Sequence, residues 1–211
     1  MQNNFQIPEQ ELICINVDKV YDWVLKENTF DFFPTGPITF PGLPATGLGG
    51  AVVSCEVTPA TTNPVVIVRR ENRQFTIDGD IVCLQQLTIR KNFTLVLVLT
   101  LPTGTVFRSA AIPVSRSEQV IMCAPEGTDV TVTFTDLDCF ISSQGTFVPG
   151  TPGTLVFTGL VLTVSTCQSI QATFPVTVEF LADFCQPRAE LAIGACPLPA
   201  MPPQCPVLYP D

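Results

Sequence analysis

Histidine is absent from this 211-residue chain, so reactive chemistry falls to nine cysteines and nineteen carboxylates. Without an imidazole there is no Ser-His-Asp or Cys-His pair, no His-ligated zinc and no haem-attachment motif. The carboxylates are the acid–base groups that remain. Asp78 and Asp80 flank Gly79, and Asp136-Leu137-Asp138-Cys139 repeats the spacing. Both read as turns, because calcium loops gather more than two oxygen ligands. Glycosidase-type carboxylate partners lie far apart in sequence, so spacing does not test for them. No Gly-rich phosphate loop follows a strand. Arg69-Arg70-Glu71-Asn72-Arg73 is a local basic cluster and reads as a solvated hairpin end. Asn92-Phe93-Thr94 is a glycosylation sequon, meaningful only on a eukaryotic secretory route. The expectation is a protein that is not an enzyme, with no catalytic residue, no metal and no cofactor.

The cysteines carry more information. Cys14, Cys55, Cys83, Cys123, Cys139, Cys167, Cys185, Cys196 and Cys205 form no CxxC pair, which excludes zinc-ribbon spacing. Cys83 and Cys167 lie in apolar surroundings and suit small buried side chains. Cys196 and Cys205 sit in a Pro-rich tail where little core can form. Nine is odd, so if most are oxidised at least one is left for another chain. Yet the opening Met1-Gln2-Asn3-Asn4-Phe5 has neither the basic nor the apolar region of a secretory signal. Oxidation without a signal requires an unusual way out of the cell.

The elements that must position these groups alternate with period two. Val130, Val132 and Phe134 fall on one face of residues 128–137, and Thr131, Thr133 and Thr135 on the other. Residues 94–101 are apolar on both faces and predict a central, doubly covered strand. Further strands are expected at 12–17, 50–57, 64–70, 80–90, 105–114, 118–123, 154–165 and 172–182. Valine and threonine, 24 and 25 residues, favour pleated surface over helix. Asp78-Gly79, Pro102-Thr103-Gly104, Glu126-Gly127 and Pro149-Gly150-Thr151-Pro152-Gly153 supply turns. One helix-like stretch, residues 19–27, is at most two turns long. The predicted fold is all-β: an antiparallel β-sandwich, jelly-roll-like, over residues 12–194. An N-terminal arm (1–11) precedes it, a Pro/Gly/Phe-rich loop (28–49) interrupts it, and a Pro/Cys-rich extended tail (195–211) follows. No run of 18 apolar residues predicts a membrane-spanning helix.

Charge is sparse and sorted. Charged residues are 14% of the chain and the net charge is −9, so no overall footprint for nucleic acid exists. Residues 1–68 carry two basic and seven acidic side chains, net −5; residues 69–116 carry seven and three, net +4; residues 118–211 carry one and nine, net −8. Residues 139–178 have no charge. That tract reads either as a buried strand pair with neutral loops or as a subunit contact, since interface centres are depleted in charge. Unlike patches in one chain also suit head-to-tail stacking.

The stretch Cys14-Ile15-Asn16-Val17-Asp18-Lys19-Val20-Tyr21-Asp22-Trp23 resembles the start of spore-surface proteins of endospore-forming bacteria: coat and exosporium proteins and appendage-fibre subunits. Ile121-Met122-Cys123-Ala124-Pro125-Glu126-Gly127-Thr128, followed by Asp136-Leu137-Asp138-Cys139, is similar to the same group. The family-like motif rests on Asp18, Lys19, Val20, Asp22 and Trp23. The resemblance implies jelly-roll subunits whose N-terminal cysteines bond to neighbours, although the adjacent cysteine pair of those connectors is missing here. It implies an address on the spore, in coat, exosporium or appendage, reached by lysis of the mother cell and without a signal. That resolves the conflict over oxidation.

The expected function is therefore a structural subunit that self-assembles into a spore-surface layer or fibre locked by disulfides. Its partners would be itself and other spore-surface proteins, not nucleic acid or membrane. Cys14, Cys196 and Cys205 are the candidates for interchain bonds, and Cys55, Cys123, Cys139 and Cys185 for bonds within the chain. Cys14 is equally compatible with an internal bond to Cys55. The alternative is a surface-displayed binding module, an adhesin or carbohydrate-binding sandwich, with Phe30, Phe32 and Phe33 as its aromatic platform.

Overall fold

The structure, a computed structural model, describes residues 11–182. The Pro/Cys-rich tail with Cys185, Cys196 and Cys205, and most of the arm, lie outside the described residues. The chain divides into two compact units, residues 1–15 with 177–211, and residues 16–176.

The described residues hold eleven strands and no helix: β1 (Glu11–Phe32), β2 (Pro37–Thr39), β3 (Val52–Pro59), β4 (Val65–Ile77), β5 (Asp80–Thr100), β6 (Val106–Arg108), β7 (Ile112–Met122), β8 (Asp129–Ser143), β9 (Thr146–Pro149), β10 (Thr154–Thr158) and β11 (Val161–Ala182). They form several antiparallel sheets. One is built around the 21-residue β5, with β4 and then β3 along one edge and β7 and then β6 along the other. A second runs β1-β11-β8, and a small third runs β2-β10-β9.

Alternation decides which side chains go inward. Leu87, Ile89, Phe93, Leu95, Leu97 and Leu99 of β5 share a face and are all buried. Leu162, Val164, Ile170 and Ala172 do the same on β11. They merge into two apolar clusters, one around Phe93, Leu95, Phe40 and Leu162, the other around Leu87, Met122 and Ile170. The β4–β5 hairpin turns at Asp78-Gly79, where both residues have positive φ (52° and 94°). Glycine takes that conformation freely and Asp tolerates it.

Several expectations need correction. Residues 19–27 are strand, not helix, because β11 supplies a hydrogen-bonding partner that local pattern does not reveal. Strands expected at 80–90 and 94–101 are one strand, continuous through the polar Arg90-Lys91-Asn92. Its last third is not doubly covered: Leu95, Leu97 and Leu99 are buried, while Val96 and Val98 are half-buried. The stretch 28–49 begins inside β1, includes β2 and plants Phe40 in the core. Of the two readings of the uncharged tract 139–178, the buried one fits Leu155, Leu160, Leu162, Val164 and Ile170, which are core residues.

Candidate functional site: thiols, an apolar edge and a polar layer in the core

β3 lies at one edge of the β5 sheet and β8 at one edge of the β1-β11-β8 sheet. Cys55 of β3 and Cys139 of β8 are joined by a disulfide, with Cα atoms 5.7 Å apart and 84 residues between them in sequence. Cys55 is therefore not available to Cys14. Cys123, expected in an internal bond, is a free thiol. Cys139, the other described candidate left for it, is already taken. The Cys123 N–H donates to Asp22 Oδ2 at 2.7 Å. Cys83 and Cys167, expected as buried apolar residues, are exposed and half-buried respectively. Cys167 sits at an outward position of β11, whereas Cys83 is in phase with the inward Leu87 and Ile89 but lies near the β4–β5 turn, beyond the buried part of β5.

Cys14 is exposed, and its Sγ lies 3.7 Å from Glu179 Oε1. Desolvation first, then the charge and hydrogen-bond acceptance of Glu179, push this thiol above its usual range. Cys14 is accordingly a slow nucleophile at neutral pH, since only the thiolate attacks.

The family-like motif lies in β1, at the end of its sheet. Asp22 points inward to the Cys123 amide. Trp23 has its indole outside: it is 58% exposed and its Nε1–H donates to Ser169 Oγ at 2.7 Å. Lys19 lies over the Tyr21 ring at 4.9 Å. Val17, Val20, Tyr21, Trp23 and Leu25 (69% exposed) stand exposed beside Asp18 and Lys19 on this strand, which is an edge of its sheet among the described residues. The expected platform of Phe30, Phe32 and Phe33 does not assemble. Phe30 is core, Phe32 packs against the core, and only Phe33 is exposed.

Sequence pattern missed the most polar part of the interior. Lys91 of β5 and Glu118 of β7 fall at inward positions of their strands, between the two apolar clusters. Lys91 Nζ is 2.6 Å from Glu118 Oε1, with the two side chains 2% and 6% exposed. Gln168 Nε2 of β11 donates to the same oxygen at 2.6 Å, and Asn28 Nδ2 of β1 donates to Oε2 at 3.1 Å. Lys26 Nζ, nearer solvent, is 3.5 Å from Oε2. The Lys91 contact is a close ion pair without a well-directed hydrogen bond, and Gln168 Oε1 has no partner. Burial holds the Lys91 ammonium below the usual lysine range, against the pull of Glu118. Burial pushes the Glu118 carboxyl up, but Lys91, Gln168 and the charge of Lys26 outweigh it and leave the group below its usual range. The signal was present in the sequence: a charge in phase with the apolar positions of an alternating strand.

Among the described residues no cluster of three or more metal-ligating side chains occurs. One shallow groove, between Pro34, Pro37, Ile38 and Pro113, is lined without an ionisable side chain. Comparison with family models, with curated proteins and with solved structures returned no match.

Proposed function

We propose that this chain is a structural subunit that self-assembles on the spore surface, its sheets closed as a jelly-roll-like β-sandwich and its assemblies locked by interchain disulfides. The observation that carries this reading is the apolar edge strand. Soluble monomers protect long edge strands with charge, proline, bulges or a covering segment. Here Val17, Val20, Tyr21, Trp23 and Leu25 stand exposed along one. Covering Trp23 and Leu25 alone would contribute about 1.5–3 kcal/mol each. A second copy is the occupant that the charge pattern favours, because the positive middle of the chain complements its negative ends. Exposed Cys14 and Cys83 can then bond neighbours after docking, with the tail cysteines as further candidates. The spore address comes from the resemblance of residues 14–23 and 121–128. The alternative as a binding module draws on Phe33 alone.

Sedimentation velocity in reducing buffer isolates the docking stage. The wild-type chain should sediment as multimers and the double variant Trp23→Lys/Leu25→Lys as monomer. A wild-type chain that stays monomeric at high concentration overturns the reading.

A further inference from the structure

We propose that Lys91 and Gln168 are the two halves of a self-formed isopeptide bond, with Glu118 carrying protons between them. This inference stands apart from the assembly reading and rests on geometry alone. Lys91 Nζ and Gln168 Nε2 both meet Glu118 Oε1 at 2.6 Å, so one carboxylate oxygen holds the nucleophile and the leaving group side by side. Both side chains are almost completely buried, 2% and 1% exposed, between two apolar clusters. The carbonyl oxygen of Gln168 is unpartnered, free to take a proton as charge develops on it. A bulge places the extra residue Thr135 opposite Cys167 and Gln168, and bulges of this kind re-aim side chains.

The chemistry needs no second reactant. In this water-poor layer Lys91 passes a proton to Glu118, leaving a neutral amine and a neutral acid, a state that burial favours over the charged pair. The amine lone pair attacks Cδ of Gln168 and the Nζ–Cδ bond forms. Glu118 protonates the developing oxyanion, then relays the proton from Nζ to Nε2. The Cδ–Nε2 bond breaks and ammonia leaves, taking the remaining proton as ammonium. Glu118 returns to carboxylate, and the product is a secondary amide joining β5 to β11. Holding the reactants in place supplies the rate that the free amide lacks. Lys26 is excluded as the amine by its position, since it is 34% exposed and lies 3.5 Å from the other oxygen, Oε2. Asn28 is only half-buried and bonds the other oxygen.

The test is the intact mass of the purified full chain, reduced and alkylated, followed by peptide mapping. The expected result is a loss of about 17 Da, one ammonia. It should come with a branched peptide containing Lys91 and Gln168 and with no tryptic cleavage after Lys91. Glu118→Gln should restore the unmodified mass. A wild-type mass equal to that of the sequence overturns the proposal without any variant having to fold. An ammonia loss mapped to Gln2, or a branch from Lys91 to Asn28, overturns it as well.

Discussion

Removing the Cys55–Cys139 bridge should cost a large share of the stability of residues 16–176. The bond closes a loop of 84 residues between edge strands of two sheets. Loop-closure entropy for that length gives at most about 4.6 kcal/mol at 25 °C, acting on the unfolded chain. For a domain of this size each kcal/mol moves the midpoint by roughly 2–4 °C, so Cys55→Ala/Cys139→Ala should lower Tm by roughly 9–18 °C. Calorimetry at low protein concentration, with free thiols alkylated in both samples, measures the shift without interchain bonds. The near-UV circular dichroism of the folded state should stay the same, because the bridge acts mainly on the denatured ensemble. A shift under about 2 °C with an unchanged native spectrum would refute the reasoning. It would mean that the denatured chain already holds β3 and β8 together.

Three further outcomes follow from single contacts. Glu179→Gln removes the charge that raises the Cys14 thiol, so the pH midpoint of Cys14 alkylation should fall and its neutral-pH rate should rise; stopped-flow labelling with mass readout checks this. Gly145 has φ 55°, and an added Cβ would run into the Thr158 carbonyl oxygen, so Gly145→Ala should destabilise by more than about 1 kcal/mol in urea melts. Asp22→Ala leaves the Cys123 N–H without its acceptor and should cost about 1–3 kcal/mol by the same measurement.

Alternation made much of the fold legible. The inward set Val130, Val132 and Phe134 and the turn at Asp78-Gly79 are visible in the residue order, because pleat and turn are local properties. What failed was whatever depends on a distant partner. Residues 19–27 look helical by themselves and become strand once β11 lies alongside. Arg90-Lys91-Asn92 looks like a break between strands because charge normally marks the surface, whereas here Glu118 accepts Lys91 inside the core. The same expectation hid the polar layer altogether. The pairing of Cys55 with Cys139 has no sequence signal, since 84 residues separate them and only the adjacency of two sheet edges brings them within reach. Trp23 lies on the edge strand β1, where its odd position turns it outward.

Electron microscopy of the purified, oxidised 22.8 kDa chain tests self-assembly most directly. Ordered fibres or sheets should be visible, and should be lost in the Trp23→Lys/Leu25→Lys variant. A field of separate, single-subunit particles at high wild-type concentration would contradict the proposed role.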